Sequence, residues 1–102
     1  MTGGNPKLVF AFEFDERAAY EAEGRGYLSH AHVELPDGCK YPVVFYDPVR
    51  LQQDLEEEVT TGNPYIAEPG MIVIPNVTLE NMENAVSKLY CEGFFSSFQS
   101  QA

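Results

Sequence analysis

The sequence predicts an α+β domain: a four-stranded mixed sheet in the order β-β-β-α-β-α, with two helices packed on one face. Three observations carry that expectation. Two segments each run from an apolar strand straight into a capped helix, residues 41–62 (YPVVFYDPVRLQQDLEEEVTTG) and residues 71–93 (MIVIPNVTLENMENAVSKLYCEG). A turn signal, Pro36-Asp37-Gly38, separates two strand-like runs ahead of the first helix. The strand–helix–strand order that follows calls for a right-handed crossover, which sets residues 71–75 parallel to 43–46.

The first strand is expected in KLVFAFEF, where Leu8, Phe10, Phe12 and Phe14 alternate with Val9, Ala11 and Glu13 and mark one apolar face. Residues 15–26 (DERAAYEAEGRG) are ambiguous. Ala18, Ala19 and Ala22 favour helix, Gly24 can stop one, and the segment reads as a loop with at most a short helical turn.

A β-hairpin comes next. Proline presets φ, aspartate bonds locally and glycine takes a positive φ, so Pro36-Asp37-Gly38 is a turn with a mechanism. A three-residue loop sets Leu35 opposite Cys39 and Glu34 opposite Lys40, a cross-strand charge pair. Ser29, Ala31 and Val33 then share the core face with Tyr41, Val43 and Phe45, while His30 and His32 lie opposite Val44 and Pro42 on the other face. Pro42 cannot donate to the ladder, which implies an edge or a bulge near it.

The first helix has Asp47 as N-cap, Pro48 at N1, and Tyr46 closing over Leu51 as a hydrophobic staple. Leu51, Leu55 and Val59 form a narrow apolar stripe, and Gly62-Asn63-Pro64 ends the helix. MIVIP reads as a short strand buried on both faces. Thr78 caps the second helix, whose buried face is Leu79, Met82, Ala85, Val86 and Leu89. Gly93 fits the left-handed residue that follows a helix, with Phe94 packing back on Leu89.

With 102 residues the chain is one domain, expected over 7–98 between a flexible N-terminus (1–6) and a flexible C-terminal tail (99–102). No stretch approaches the ~20 apolar residues of a membrane span. MTGGNPKLVF lacks the apolar core of a secretion signal, so a cytoplasmic protein is expected. Sixteen acids against six bases give a net charge of −10, which disfavours nucleic acid and anionic membranes and suits a basic protein partner. Cys39 and Cys91 form no CxxC pair and are expected as thiols.

Few motifs carry chemistry. His30, His32 and Glu34 alternate along one strand, and two imidazoles ~6.8 Å apart could share a metal, but Glu34 lies ~13 Å from His30. No phosphate-binding loop stands in its proper context and no GxSxG is present. No cofactor is expected. The acidic run at residues 54–58 has more content. Asp54, Glu56, Glu57 and Glu58 crowd the end of the helix that carries partial negative charge, where each acid is unfavourable by roughly 0.3–1 kcal/mol.

These four residues are the candidate protein-binding site. The expected function is a non-enzymatic binding module of inhibitor, immunity or adaptor type. The alternative is a small enzyme or metal-binding protein using the His30/His32 strand face. Phe95 and Phe98 either close the core or form an exposed apolar patch for a dimer or partner contact, so a homodimer is a further expected partner.

Overall fold

The computed structural model describes residues 5–95. The elements are β1 (Lys7–Phe10), α1 (Glu16–Arg25), β2 (Tyr27–Glu34), β3 (Lys40–Tyr46), α2 (Pro48–Thr60), β4 (Met71–Val73) and α3 (Leu79–Cys91). The sheet has four strands in the order β1-β2-β3-β4. β1/β2 and β2/β3 are antiparallel and β3/β4 is parallel. The α+β mixed-sheet fold expected from the sequence is therefore present, with one more helix, α1, between the first two strands.

Helix α1 corrects the loop expected at residues 15–26. Asp15 is its N-cap and accepts from the Ala18 N–H at 2.9 Å. Arg17 and Arg25 reach Glu21 from either side at 3.4 and 3.8 Å. Gly24 is carried inside the helix, and Gly26 is the residue that stops it, at φ 69°. A Cβ on Gly26 would sit 2.5 Å from the Asp47 carboxylate, so this position needs glycine for space as well as for its backbone. β1 is correspondingly shorter than the eight-residue run suggested. The chain bends after Phe10, and Phe10 stacks on Phe14 with ring centroids 4.5 Å apart.

The hairpin turn follows its local chemistry. The Gly38 N–H donates to Leu35 O at 2.9 Å, Leu35 N–H to Cys39 O at 2.8 Å, and Cys39 N–H to the Asp37 carboxylate at 2.9 Å. Glu34 pairs with Lys40 and His32 with Pro42, as expected. Pro42 precedes the β3/β4 pairing, which begins at Val44, so no β4 carbonyl there asks for its missing N–H.

Deeper in the hairpin the expected register fails. Leu28 pairs with Phe45 and Ala31 with Val43, so Ser29 and His30 together stand against Val44. His30 takes φ 63°, the one positive φ at a non-glycine residue among the described residues. The bulge moves Leu28 rather than Ser29 into the core, and Leu28 is buried there. Burying a leucine is worth roughly 1.5–3 kcal/mol, against about 1–2 kcal/mol for one left-handed non-glycine residue. Leucine burial outweighs the backbone strain and sets the register.

Helix α2 has the expected Asp47 cap, which accepts from Arg50 N–H at 2.8 Å. At its end Asn63 N–H reaches back to Glu58 O at 2.8 Å across Gly62 at φ 103°. Thr78 caps α3 through Asn81 N–H at 3.2 Å. Phe94 N–H donates to Leu89 O at 2.9 Å with Gly93 at φ 79°, the ending read from the sequence. Two readings of burial need correction. Leu79, in the first turn of α3, is exposed, and β4 buries Ile72 while Val73 is exposed. β4 is an edge strand with one covered face, not a strand buried on both sides.

Register parity separates the two faces of the sheet. Leu8, Phe10, Leu28, Ala31, Val33, Val43, Phe45 and Ile72 share the core face. Two helices cover it: α1 through Ala22, and α3 through Met82 and Val86. Helix α2 has no fully buried residue. Phe95 is 1% exposed and packs on Tyr41 at 5.7 Å between centroids, so it closes the core of the monomer and offers no dimer contact. Phe98 lies outside the described residues. Phe95→Ala is expected to cost about 3–5 kcal/mol and lower the melting temperature by roughly 12 °C or more. A thermal melt shifted by less than a few degrees would show that Phe95 is not in the core.

Candidate protein-binding site

Helix α2 half-buries Leu51 and Leu55 of its apolar stripe, leaves Val59 exposed, and is tied to the body of the protein by polar contacts at its N-terminal half. Arg50, three residues past the cap, donates from Nε to Asp54 Oδ1 at 3.0 Å and from Nη1 to Arg25 O at 3.2 Å. Its guanidinium carbon stands 5.0 Å from the centre of the Tyr27 ring, a cation–π distance. Tyr27 in turn meets Tyr46 edge-on at 4.9 Å. These contacts seat the N-terminal half of α2 against the ends of β2 and β3.

The other half of α2 carries the acids. A cleft of about 400 Å³ opens between this half and the loop at residues 65–68. Asp54, Glu57 and Glu58 line it, together with Glu68, Arg50, Tyr46 and Tyr65. Four carboxylates and one guanidinium leave a formal −3 in one concavity. Glu56, grouped with the others from the sequence, does not line the cleft. It stands exposed and accepts from Gln52 Nε2 at 3.3 Å. Glu68 is not distinguished by the sequence pattern. It arrives because the chain between α2 and β4 returns alongside the helix.

The partners of these acids are unequal. Asp54 is half-buried and neutralised by Arg50. Glu58 accepts from Asn63 Nδ2 at 2.7 Å, a neutral amide. Among the described residues no lysine or arginine comes within 4 Å of Glu56, Glu57 or Glu58. The last carbonyls of α2 are satisfied by neutral donors too: Thr60 Oγ1 to Glu56 O and Thr61 Oγ1 to Glu58 O, both at 2.9 Å. The unfavourable charge at the helix end is left in place.

The histidine pair does not assemble as the strand pattern suggested. The bulge turns His30 into a separate cleft of about 260 Å³ beside α1, lined also by Glu21, Arg25 and Ser29. There Ser29 Oγ and His30 Nδ1 share a hydrogen bond of 2.9 Å. His32 stays on the opposite sheet face, across from Pro42. The described residues contain no group of three or more His, Cys, Asp or Glu placed to hold a metal ion. Cys39 and Cys91 are exposed free thiols. The Asp37 carboxylate, by hydrogen bond and by charge, pushes the Cys39 thiol up, which makes it a poor thiolate nucleophile at neutral pH.

Tyr46 forms the floor of the acidic cleft. It is buried, and its hydroxyl donates to Glu68 Oε1 at 3.4 Å. Burial first, and the Glu68 charge second, push the phenol up to about 12. It therefore remains a neutral donor at any physiological pH. Because the folded value lies above the unfolded value of ~10, the unfolded chain loses this proton first. The stabilisation is complete below about pH 10 and is lost as pH rises from there through about 12. Melting temperatures measured from about pH 8 to about pH 12 should fall across that window, and fall less in Tyr46→Phe. Equal falls in both proteins would remove this role from Tyr46. Comparison with protein-family models, curated proteins and solved structures finds no match for this chain.

Proposed function

We propose that the protein is a non-enzymatic binding module that docks a basic protein segment on the C-terminal half of α2. The observation that carries this reading is the unneutralised charge of Glu56, Glu57 and Glu58 beside a cleft that already holds Asp54 and Glu68. Folding gives no reason to concentrate acids at a helix C-terminus without cations. A Lys- or Arg-rich partner turns that cost into attraction, acting mainly on association rate and weakening with salt.

Two exposed apolar side chains flank the acids: Val59 on the helix and Tyr65 on the loop. They supply the apolar contacts that charge alone lacks in an interface. A net charge of −10 speaks against nucleic acid and anionic lipid as partners. No described helix is long and apolar enough to cross a membrane. Two exposed thiols suit a cytoplasmic setting. The enzyme or metal reading of the His30/His32 face has less support, since the bulge points the two imidazoles into different surroundings.

The test is a titration of the labelled protein with a Lys/Arg-rich amphipathic peptide, followed by amide chemical shifts at several salt concentrations. Shifts should cluster on residues 54–60 and 65–68, and affinity should fall as salt rises. Glu56→Gln, Glu57→Gln and Glu58→Gln together should raise stability by a few tenths of a kcal/mol per site. The same variant should bind the peptide at least about fivefold more weakly at low salt. A triple variant that is less stable than the parent and binds with unchanged salt dependence would make these charges structural.

A further inference from the structure

The cleft beside α1 shares no lining residue with the acidic cleft of α2. It holds about 260 Å³, and its apolar side is made by Phe12, Ala18, Ala22 and Leu28. Phe12 stands outside the core cluster and is 40% exposed. Its ring meets Phe10 and Phe14 at 5.6 and 6.3 Å between centroids, so it is held in place and still reachable from solvent.

The polar side is His30, Arg25 and Glu21. Burial of Leu28 accounts for the bulge and for the left-handed backbone at φ 63°, but not for a histidine there. Glycine takes this conformation without a Cβ clash. A strained position that keeps a long side chain points to a use for that side chain. Ser29 Oγ holds His30 Nδ1 at 2.9 Å, which fixes the ring, and Nε2 has no partner among the described residues. Arg25 is incompletely paired as well. Its guanidinium makes no hydrogen bond among the described residues, and it approaches Glu21 only to 3.8 Å. Glu21 is the one acid lining the cleft, and Arg17 takes its other oxygen at 3.4 Å.

These groups narrow the ligand. An apolar wall with an aromatic ring suits a planar apolar body, and a cavity of about 150 Å³ is already enough for benzene. A guanidinium beside an imidazole N–H suits a carboxylate. A single charge is favoured over two, because a chain of net charge −10 repels multivalent anions.

We propose that this cleft binds a small aromatic monocarboxylate. The carboxylate accepts from Arg25 and from His30 Nε2, which carries the ring proton when the Ser29 hydroxyl donates to Nδ1. The aromatic body packs against Phe12 and Leu28. The site stands or falls separately from the partner assigned to α2.

Benzoate is the probe, added to the labelled protein and followed by amide chemical shifts. Benzyl alcohol controls for the ring alone and acetate for the charge alone. Benzoate should move amides of residues 12 and 18–30 and leave residues 54–60 and 65–68 in place. It should bind at least tenfold more tightly than either control. Arg25→Gln and His30→Gly should each weaken benzoate at least tenfold, and His30→Gly should melt no lower than the parent. The proposal is overturned by an absence of shifts up to tens of millimolar benzoate, or by benzyl alcohol binding as well as benzoate. Unchanged benzoate binding in either variant, or a His30→Gly chain that melts several degrees lower, would make these side chains structural and overturn it equally.

Discussion

The Arg50 guanidinium touches β2, α2 and the end of α1 at once, through the Tyr27 ring, the Asp54 carboxylate and the Arg25 carbonyl. Helix α2 has no fully buried residue, only the half-buried Leu51 and Leu55 of its apolar stripe, so this junction carries much of its attachment. The half-exposed ion pair contributes up to about 1 kcal/mol and the cation–π contact about the same. Helix α3, by contrast, buries Met82 and Val86, each worth roughly 1.5–3 kcal/mol. The two helices that share a capping grammar are thus held by different forces. One is packed into the core, and the other half-buries Leu51 and Leu55, is tied by Arg50 at its N-terminal half, and borders a cleft with its acidic half. Gly26 belongs to the same junction, since its lack of a side chain lets the Asp47 cap of α2 come against the end of α1.

The second constraint is the bulge in β2. A regular strand would have put Ser29 in the core and Leu28 outside. Two residues against one reverses this, and everything past the bulge keeps the register set by the Pro36-Asp37-Gly38 turn. The same event sends His30 towards α1 and leaves His32 on the opposite face of the sheet, which dissolves the one metal-like pattern in the sequence. One backbone irregularity therefore fixes both the core and the distribution of polar chemistry between the two faces.

Elements specified by local chemistry are legible in the sequence. Asp47-Pro48, Thr78, Gly93 and the hairpin turn each need only neighbours within a few residues, and each appears as read. Helix α1 is harder to read, although its cap, Asp15, and its Arg17–Glu21–Arg25 ladder stand in plain letters. An internal Gly24 and the lack of an apolar stripe count against it, because only Ala22 is buried. The bulge is illegible because it arises from a competition between burial and backbone strain that alternation does not express. At the candidate site, Asp54, Glu57 and Glu58 are readable as a charge run. Glu68 is not, since only the return of the chain to β4 brings it to the helix. Glu56 belongs to the same run but stands outside the cleft, because a run of letters does not separate the sides of a helix.

Helix α2 is held outside the main core, through Arg50 and the half-buried Leu51 and Leu55, which leaves its acidic run available to a partner. Native-state hydrogen exchange tests it most directly. Amides of residues 54–59 should exchange through local opening at least tenfold faster than those of residues 82–89, and Arg50→Met should widen the difference while leaving α3 unchanged. Equal protection in the two helices, lowered together by Arg50→Met, would contradict the account and make α2 part of the cooperative core.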